Sequence, residues 1–259
     1  MKWFDAGVNL LDKRLDAAAI IARAEDAGVK RVCVITTHPD EWDDAAELFA
    51  RYPHALCYTV GCHPHNAKVM TDSAFTVLEQ HLSSPGVVAV GECGLDFNRD
   101  FSARDVQEAV FKRQLDLAVK HKKPVYLHER DALTLQLACL DAVANDLVGG
   151  ISHCFTGDAE AMKAYISRGL YIGITGWLCD PKRGEALRHA VQSLPLERLI
   201  METDAPYLFP KHHKPKSKNN EPAFLPSIGG YLAEILQLTP QQIAQISYAN
   251  TCRLFGLIE

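Results

Sequence analysis

The stretch VVAVGECGLD spans residues 87–96. Its first four residues, Val87 to Val90, are apolar without alternation. That pattern belongs to a strand buried on both faces, as in a parallel sheet covered by helices. Glu92 stands just beyond it, beside an apolar wall. A carboxylate there needs a metal, another cation or several hydrogen-bond donors. Which of these it has depends on what stands at the equivalent places along the chain.

Similar runs recur. Strands are expected over 3–8, 32–36, 56–60, 87–90, 125–128, 147–152, 170–175 and 199–203, the sixth weakened by Gly149 and Gly150. Helical segments lie between them, over 15–27, 40–50, 72–81, 103–121, 131–143, 158–167 and 182–192. Gly28 supplies a C-cap for the first, and Asp72 or Ser73 an N-cap for the third. Two more helices are expected over 224–236 and 241–254. Thr239, Pro240 and Gln242 give the last one its N-cap, first-turn proline and capping-box partner. A repeated strand-then-helix order requires parallel strands with crossover helices. Eight such units predict an α/β fold, a closed (β/α)₈ TIM barrel, in one domain spanning 1–259. An open doubly wound sheet is the competitor. It would use fewer strands, and no GxGxxG or GxxxxGK[ST] loop is present.

The 259 residues, 47% of them hydrophobic, suffice for such a core. A formal net charge of -5 argues against whole-surface attraction to nucleic acid and leaves room for a local basic patch. None of the eight cysteines forms a CxxC, and several sit in apolar runs, so all are expected to be reduced. No apolar stretch is long enough to span a bilayer, and MKWFDAGVNL lacks the parts of a secretory signal. The sequence therefore predicts a cytoplasmic protein without membrane association. It has no coiled-coil pattern that demands an oligomer, and a monomer is expected.

In a parallel barrel the C-terminal strand ends meet at one mouth. Glu92, His128, His153 and the group Glu202, Thr203 and Asp204 all follow apolar runs. Together Glu92, His128, His153 and Asp204 make a divalent-metal site, with Asp204 able to bind metal, accept a proton from water, or both. Oxygen ligands suit Mg²⁺ or Mn²⁺, and imidazole strengthens the case for Mn²⁺, Zn²⁺, iron or nickel. Each residue also has a plainer reading: a core histidine held by hydrogen bonds, a glutamate paired with arginine, or an aspartate capping the turn before Pro206. His63 and His65, in GCHPH, can donate to a substrate oxygen or protonate a leaving group. A polar loop turned by Pro64 is the alternative. Arg99 and Arg130 offer planar forks for a phosphate, or are simply solvated. Trp177 offers a stacking face for a base, or covers the seventh strand's end. The segment 210–222, PKHHKPKSKNNEP, should border the mouth, its lysines either touching a phosphate chain or solvated.

GECGLDF at 91–97, LHERD at 127–131, SHCFTG at 152–157, ETDAPYL at 202–208 and NNEP at 219–222 resemble, in order, the motifs of TatD-type metal-dependent deoxyribonucleases. That family lies within the amidohydrolase-like barrels, and the resemblance runs through nearly the whole chain. Its first strand often reads DxHxHLD. Here the segment reads DAGVNLLD, with Gly7 and Asn9 at the two histidine places, as in the TatD exonuclease branch. The resemblance implies Mg²⁺-dependent hydrolysis of single-stranded DNA, and also RNA, from the 3′ end, with a role in DNA repair. It implies one firmly held cation, with a second weaker or arriving with phosphate, and Mn²⁺ or Zn²⁺ as substitutes. By motif position, Glu92, His128, His153 and Asp204 carry over as the metal and catalytic set. His63 carries over as a catalytic histidine at the scissile phosphate. Two readings compete. One is a metallohydrolase of small amides, lactones or aminoacyl esters; the other is a non-enzymatic nucleic-acid binder.

Overall fold

Eight parallel strands pair in chain order: β1 (Trp3–Val8), β2 (Val29–Val34), β3 (Leu56–Val60), β4 (Val87–Asp96), β5 (Val125–Arg130), β6 (Gly150–Ser152), β7 (Tyr171–Ile174) and β8 (Leu199–Met201). The computed structural model describes residues 1–214 and 217–258. The crossover helices are α1 (Ala17–Asp26), α2 (Trp42–Arg51), α3 (Asp72–His81), α4 (Arg104–His121), α5 (Leu133–Asp141), α6 (Ala159–Ile166) and α7 (Glu185–Ala190). Two more, α8 (Leu225–Leu236) and α9 (Pro240–Phe255), follow β8. The barrel closes at its mouth, where Val8 bridges Ala205 in parallel. There the Asp204 N–H donates to the Gly7 carbonyl at 2.9 Å, and the Asn9 N–H to the Ala205 carbonyl at 2.8 Å. This is the predicted (β/α)₈ TIM barrel. Alternate residues such as Phe4, Ala6, Cys33, Ile35 and Ile200 fill its interior, and Cys252 and Phe255 of α9 join that cluster. All eight cysteines are free thiols, as the sequence predicts.

Several boundaries move, each for a local reason. β4 does not stop at Val90. It pairs with β5 as far as Asp96 opposite Arg130, with a register shift between Gly91 and Cys93. Glu92 sits at that irregularity, so its side chain is re-aimed from the ladder toward the mouth. Gly94 permits the close approach: its φ is +137°, and a Cβ there would lie 1.9 Å from the His128 carbonyl oxygen. β8 ends at Met201 rather than at 203 because the next amides turn elsewhere. The Thr203 N–H donates to Asp5 Oδ1 at 2.9 Å, and its hydroxyl to Asp5 Oδ2 at 2.6 Å. Thr71, not Asp72 or Ser73, caps α3 by accepting from the Ala74 N–H. α7 starts late because the Asp180 carboxylate accepts the N–H groups of Lys182 and Arg183 in a preceding turn. α9 has the predicted capping box between Thr239 and Gln242.

Asp5 is the buried clasp of the seam. Burial pushes its carboxyl up to about 7, against the lowering effect of the Thr203 donors. Asp5→Ala should cost about 2 kcal/mol, because two donors of Thr203 lose their acceptor inside the protein. A carboxyl raised on folding stabilises fully below its unfolded value near 4, and that contribution fades as pH climbs through about 7. The deficit of the variant in urea unfolding should therefore be largest at pH 4 and below, by about that amount, and shrink toward pH 8. A deficit that grows with pH would contradict the assignment.

Candidate metal centre

The strand ends enclose a cavity of about 620 Å³. Its wall includes Glu92, His128, His153 and Asp204, together with His63, His65, Arg130 and Trp177. Arg99 is not among the lining residues; it is exposed, and its backbone N–H donates to Asp96 Oδ1 at 2.9 Å. The topology explains the rest. β4 delivers Glu92 at its irregularity, β5 delivers His128, and His153 and Asp204 follow β6 and β8. His63 and His65 enter from the turn after β3. Asn220 of the NNEP segment fixes the far side by donating to the Thr203 carbonyl at 2.9 Å.

Two groups of donors line this cavity. The ligand atoms of His63, Glu92 and His128 all lie within 4.8 Å of one another, and those of His153, Cys154 and Asp204 satisfy the same limit. Glu92 Oε1 lies 3.1 Å from His128 Nδ1 and 3.5 Å from His63 Nε2. His153 Nε2 lies 3.6 Å from Asp204 Oδ1, which also accepts from the Asn9 amide at 2.9 Å. His63, expected at the substrate, therefore also stands beside two expected ligands. Asp96 Oδ2 ties His65 Nε2 at 2.7 Å and His128 Nε2 at 3.2 Å into one network.

The electrostatics are those of a nest of opposed charges. Burial would raise Glu92, but His63, His128 and His153 around it hold it well below the usual carboxylate range. Burial opposes charge on His128 and His153, yet their carboxylate partners raise them to about 9 and about 10. Burial, with His128 beside it, depresses His63 to about 3 and keeps its ring neutral. Burial pushes Asp204 up to about 7, assisted by Glu92 and Glu202 and opposed by His153. Imidazole nitrogens and carboxylate oxygens at these spacings suit a divalent cation, and binding would displace the protons the histidines carry.

Sequence reasoning missed Tyr126, and it placed Glu202 at the mouth without giving it a role. The Tyr126 hydroxyl donates to Glu202 Oε2 at 2.6 Å, and His153 Nδ1 lies 2.7 Å from both oxygens. Tyr126 lies inside an apolar run and reads as core. Glu202 stands two residues before Asp204, and only the register shows that it points inward. Around the rim, Arg130 is exposed, and Trp177 is half-buried beneath the Arg183 guanidinium, 4.2 Å from the ring centroid. Its indole N–H is buried without a partner among the described residues. Of the lysines in 210–222, Lys211 pairs with Asp180 at 2.7 Å, and Lys216 lies outside the described residues.

Eight parallel strands closed into a barrel, with histidines and carboxylates gathered at the C-terminal mouth, define a (β/α)₈ barrel with a candidate metal centre. A family model described as TatD related DNase matches residues 4–256, and the chain belongs to that family. A 3′-5′ ssDNA/RNA exonuclease TatD of Citrobacter rodentium is 44% identical over 258 residues, covering 98% of both chains. The protein of the same name from Salmonella typhimurium is 43% identical over 259 residues, covering 98% of this chain and 99% of its own. Among solved structures, the TatD homologue YJJV of Escherichia coli superposes with a TM-score of 0.91 at 28% identity, covering 99% of this chain and 98% of that one.

Proposed function

We propose that this protein is a divalent-metal-dependent 3′-5′ exonuclease on single-stranded DNA and RNA, acting in a single domain of residues 1–259. The observation that carries the proposal is the meeting of Glu92, His128, His153 and Asp204 at one cavity from four separate strand ends. The names of the full-length relatives support the substrate and the direction. We take Mg²⁺ as the working cation because hard carboxylate oxygens and a phosphate substrate favour it, with Mn²⁺ and Zn²⁺ as alternatives. One or two ions fit the donors, held by Glu92, His128, His153 and Asp204. The reading extends to a cytoplasmic monomer serving DNA repair, where trimming of single-stranded ends is needed. No helix among the described residues is long and apolar enough to cross a membrane.

When bound, a divalent cation polarises the phosphodiester and lowers the pKa of water. The protein's own residues do the rest. Asp204 orients the attacking water and takes its proton. His63, neutral and beside Glu92, donates a hydrogen bond to a phosphate oxygen as charge builds there. His65, fixed by Asp96, serves a neighbouring phosphate oxygen. Arg130 and Trp177 at the rim hold the chain leading in.

The test uses metal-stripped protein and single-stranded DNA labelled at either end, with Mg²⁺, Mn²⁺ and Zn²⁺ supplied separately. The expected result is a ladder shortening from the 3′ end, silent in chelator and restored by a cation. Glu92→Ala should weaken cation binding by about tenfold or more in a calorimetric titration, since a buried ligand is removed. Hydrolysis of amides or esters but not DNA would favour the small-substrate reading. Binding that survives chelation without hydrolysis would favour a plain binder.

A further inference from the structure

Seven of the eight cysteines are buried, and Cys154 alone is only partly buried. It lines the central cavity rather than the apolar core. Its backbone N–H is held by Glu202 Oε1 at 2.5 Å, and its sulfur lies 3.7 Å from the Thr175 hydroxyl. The same Glu202 carboxylate sits 2.7 Å from His153 Nδ1, which leaves the ring's Nε2 turned toward Asp204 Oδ1, 3.6 Å away. A sulfur, an imidazole nitrogen and a carboxylate oxygen thus converge within 4.8 Å. The other donor group offers only nitrogen and oxygen, from His63, Glu92 and His128.

These two donor sets differ in kind. Thiolate sulfur prefers Zn²⁺ and softer cations, whereas Mg²⁺ prefers oxygen and keeps its water. Three protein donors of mixed N, S and O type leave a fourth position open on a tetrahedral ion. We propose that Cys154 is the sulfur donor, with His153 and Asp204, of a cation position selective for Zn²⁺ or Cd²⁺ over Mg²⁺. The inference rests on the reading of His153 and Asp204 as cation ligands. On binding, the thiol gives up its proton to solvent and a sulfur–metal bond forms, with no change of oxidation state.

Metal-stripped full-length protein is treated with iodoacetamide, alone or with Zn²⁺, Cd²⁺ or Mg²⁺, and modification of the Cys154 peptide is followed by mass spectrometry. Zn²⁺ and Cd²⁺ should slow its alkylation by about tenfold or more, and Mg²⁺ at the same concentration should not. Cd²⁺ should also produce a thiolate-to-metal charge-transfer absorption that Cys154→Ser abolishes. That band decides the matter if the free thiol resists the reagent. Equal alkylation with and without Zn²⁺ and Cd²⁺ of a thiol that does react, or a cadmium band that persists in Cys154→Ser, would overturn the assignment. The outcomes separate from those of the nuclease assay. Loss of protection in a protein that degrades DNA with Mg²⁺ removes the sulfur position and leaves the nuclease reading standing. Protection in a protein that cleaves no DNA does the reverse.

Discussion

Asp204→Asn should lower hydrolysis of single-stranded DNA by roughly 100- to 10,000-fold while the barrel stays folded. Asparagine keeps nearly the same shape. Its amide oxygen can still accept the Asn9 donor that now reaches Asp204 Oδ1 at 2.9 Å. The backbone bond from residue 204 to the Gly7 carbonyl, part of the barrel closure, is untouched. Position 204 has a φ of +56°, a left-handed conformation that asparagine tolerates about as well as aspartate. What the variant loses is charge and basicity. The amide cannot take a proton from water at neutral pH, and it is a weaker cation ligand. Circular dichroism and urea unfolding close to those of the parent, with product ladders nearly absent, are the expected results. A folded Asp204→Asn protein that trims DNA at the parental rate would remove Asp204 from the chemistry.

Much of the fold is legible in the sequence because a strand buried on both faces needs no alternation. Runs such as Val87–Val90 announce themselves. The same logic made the site visible, since a polar residue just beyond such a run is costly unless something receives it. Glu92, His128, His153 and Asp204 all carry that mark. The exact extent of strands was less legible. The fourth strand was expected to end at Val90, yet Gly91 and Gly94 let β4 lie close against β5 and carry the ladder to Asp96. Arg99 reads as a neighbour of Glu92, but the turn after β4 directs it outward, away from the cavity wall. Tyr126 and Cys154, and the role of Glu202, were hidden for another reason. Each looks like core or like a bystander, and only barrel register shows which of them face the mouth.

Glu202 makes the point testable, through Glu202→Gln. An ionised carboxylate only accepts, so His153 Nδ1, 2.7 Å from Glu202 Oε2, carries the proton and Nε2 is free to donate its lone pair to a cation. The other oxygen, Oε1, is taken by the Cys154 N–H. Glutamine must keep its oxygen on that amide, which places its NH₂ against His153 Nδ1. The tautomer then reverses, the proton moves to Nε2, and the ligating lone pair is lost. The opposite amide orientation sets two donors face to face at Cys154. Cation affinity should fall by about 10- to 100-fold, as for other supports of a metal-bound histidine. Nitrogen-15 NMR of the imidazole should report the changed tautomer, and hydrolysis should recover as the cation is raised to saturation. That recovery distinguishes a positioning residue from a catalytic one. The same geometry accounts for the missing histidine on β1. A Cβ on Gly7 would lie 2.0 Å from the Tyr126 hydroxyl and 2.6 Å from Glu202 Oε2, so a bare backbone is what lets this pair reach His153. An unchanged His153 tautomer together with unchanged cation affinity in Glu202→Gln would show that the pair is packing alone.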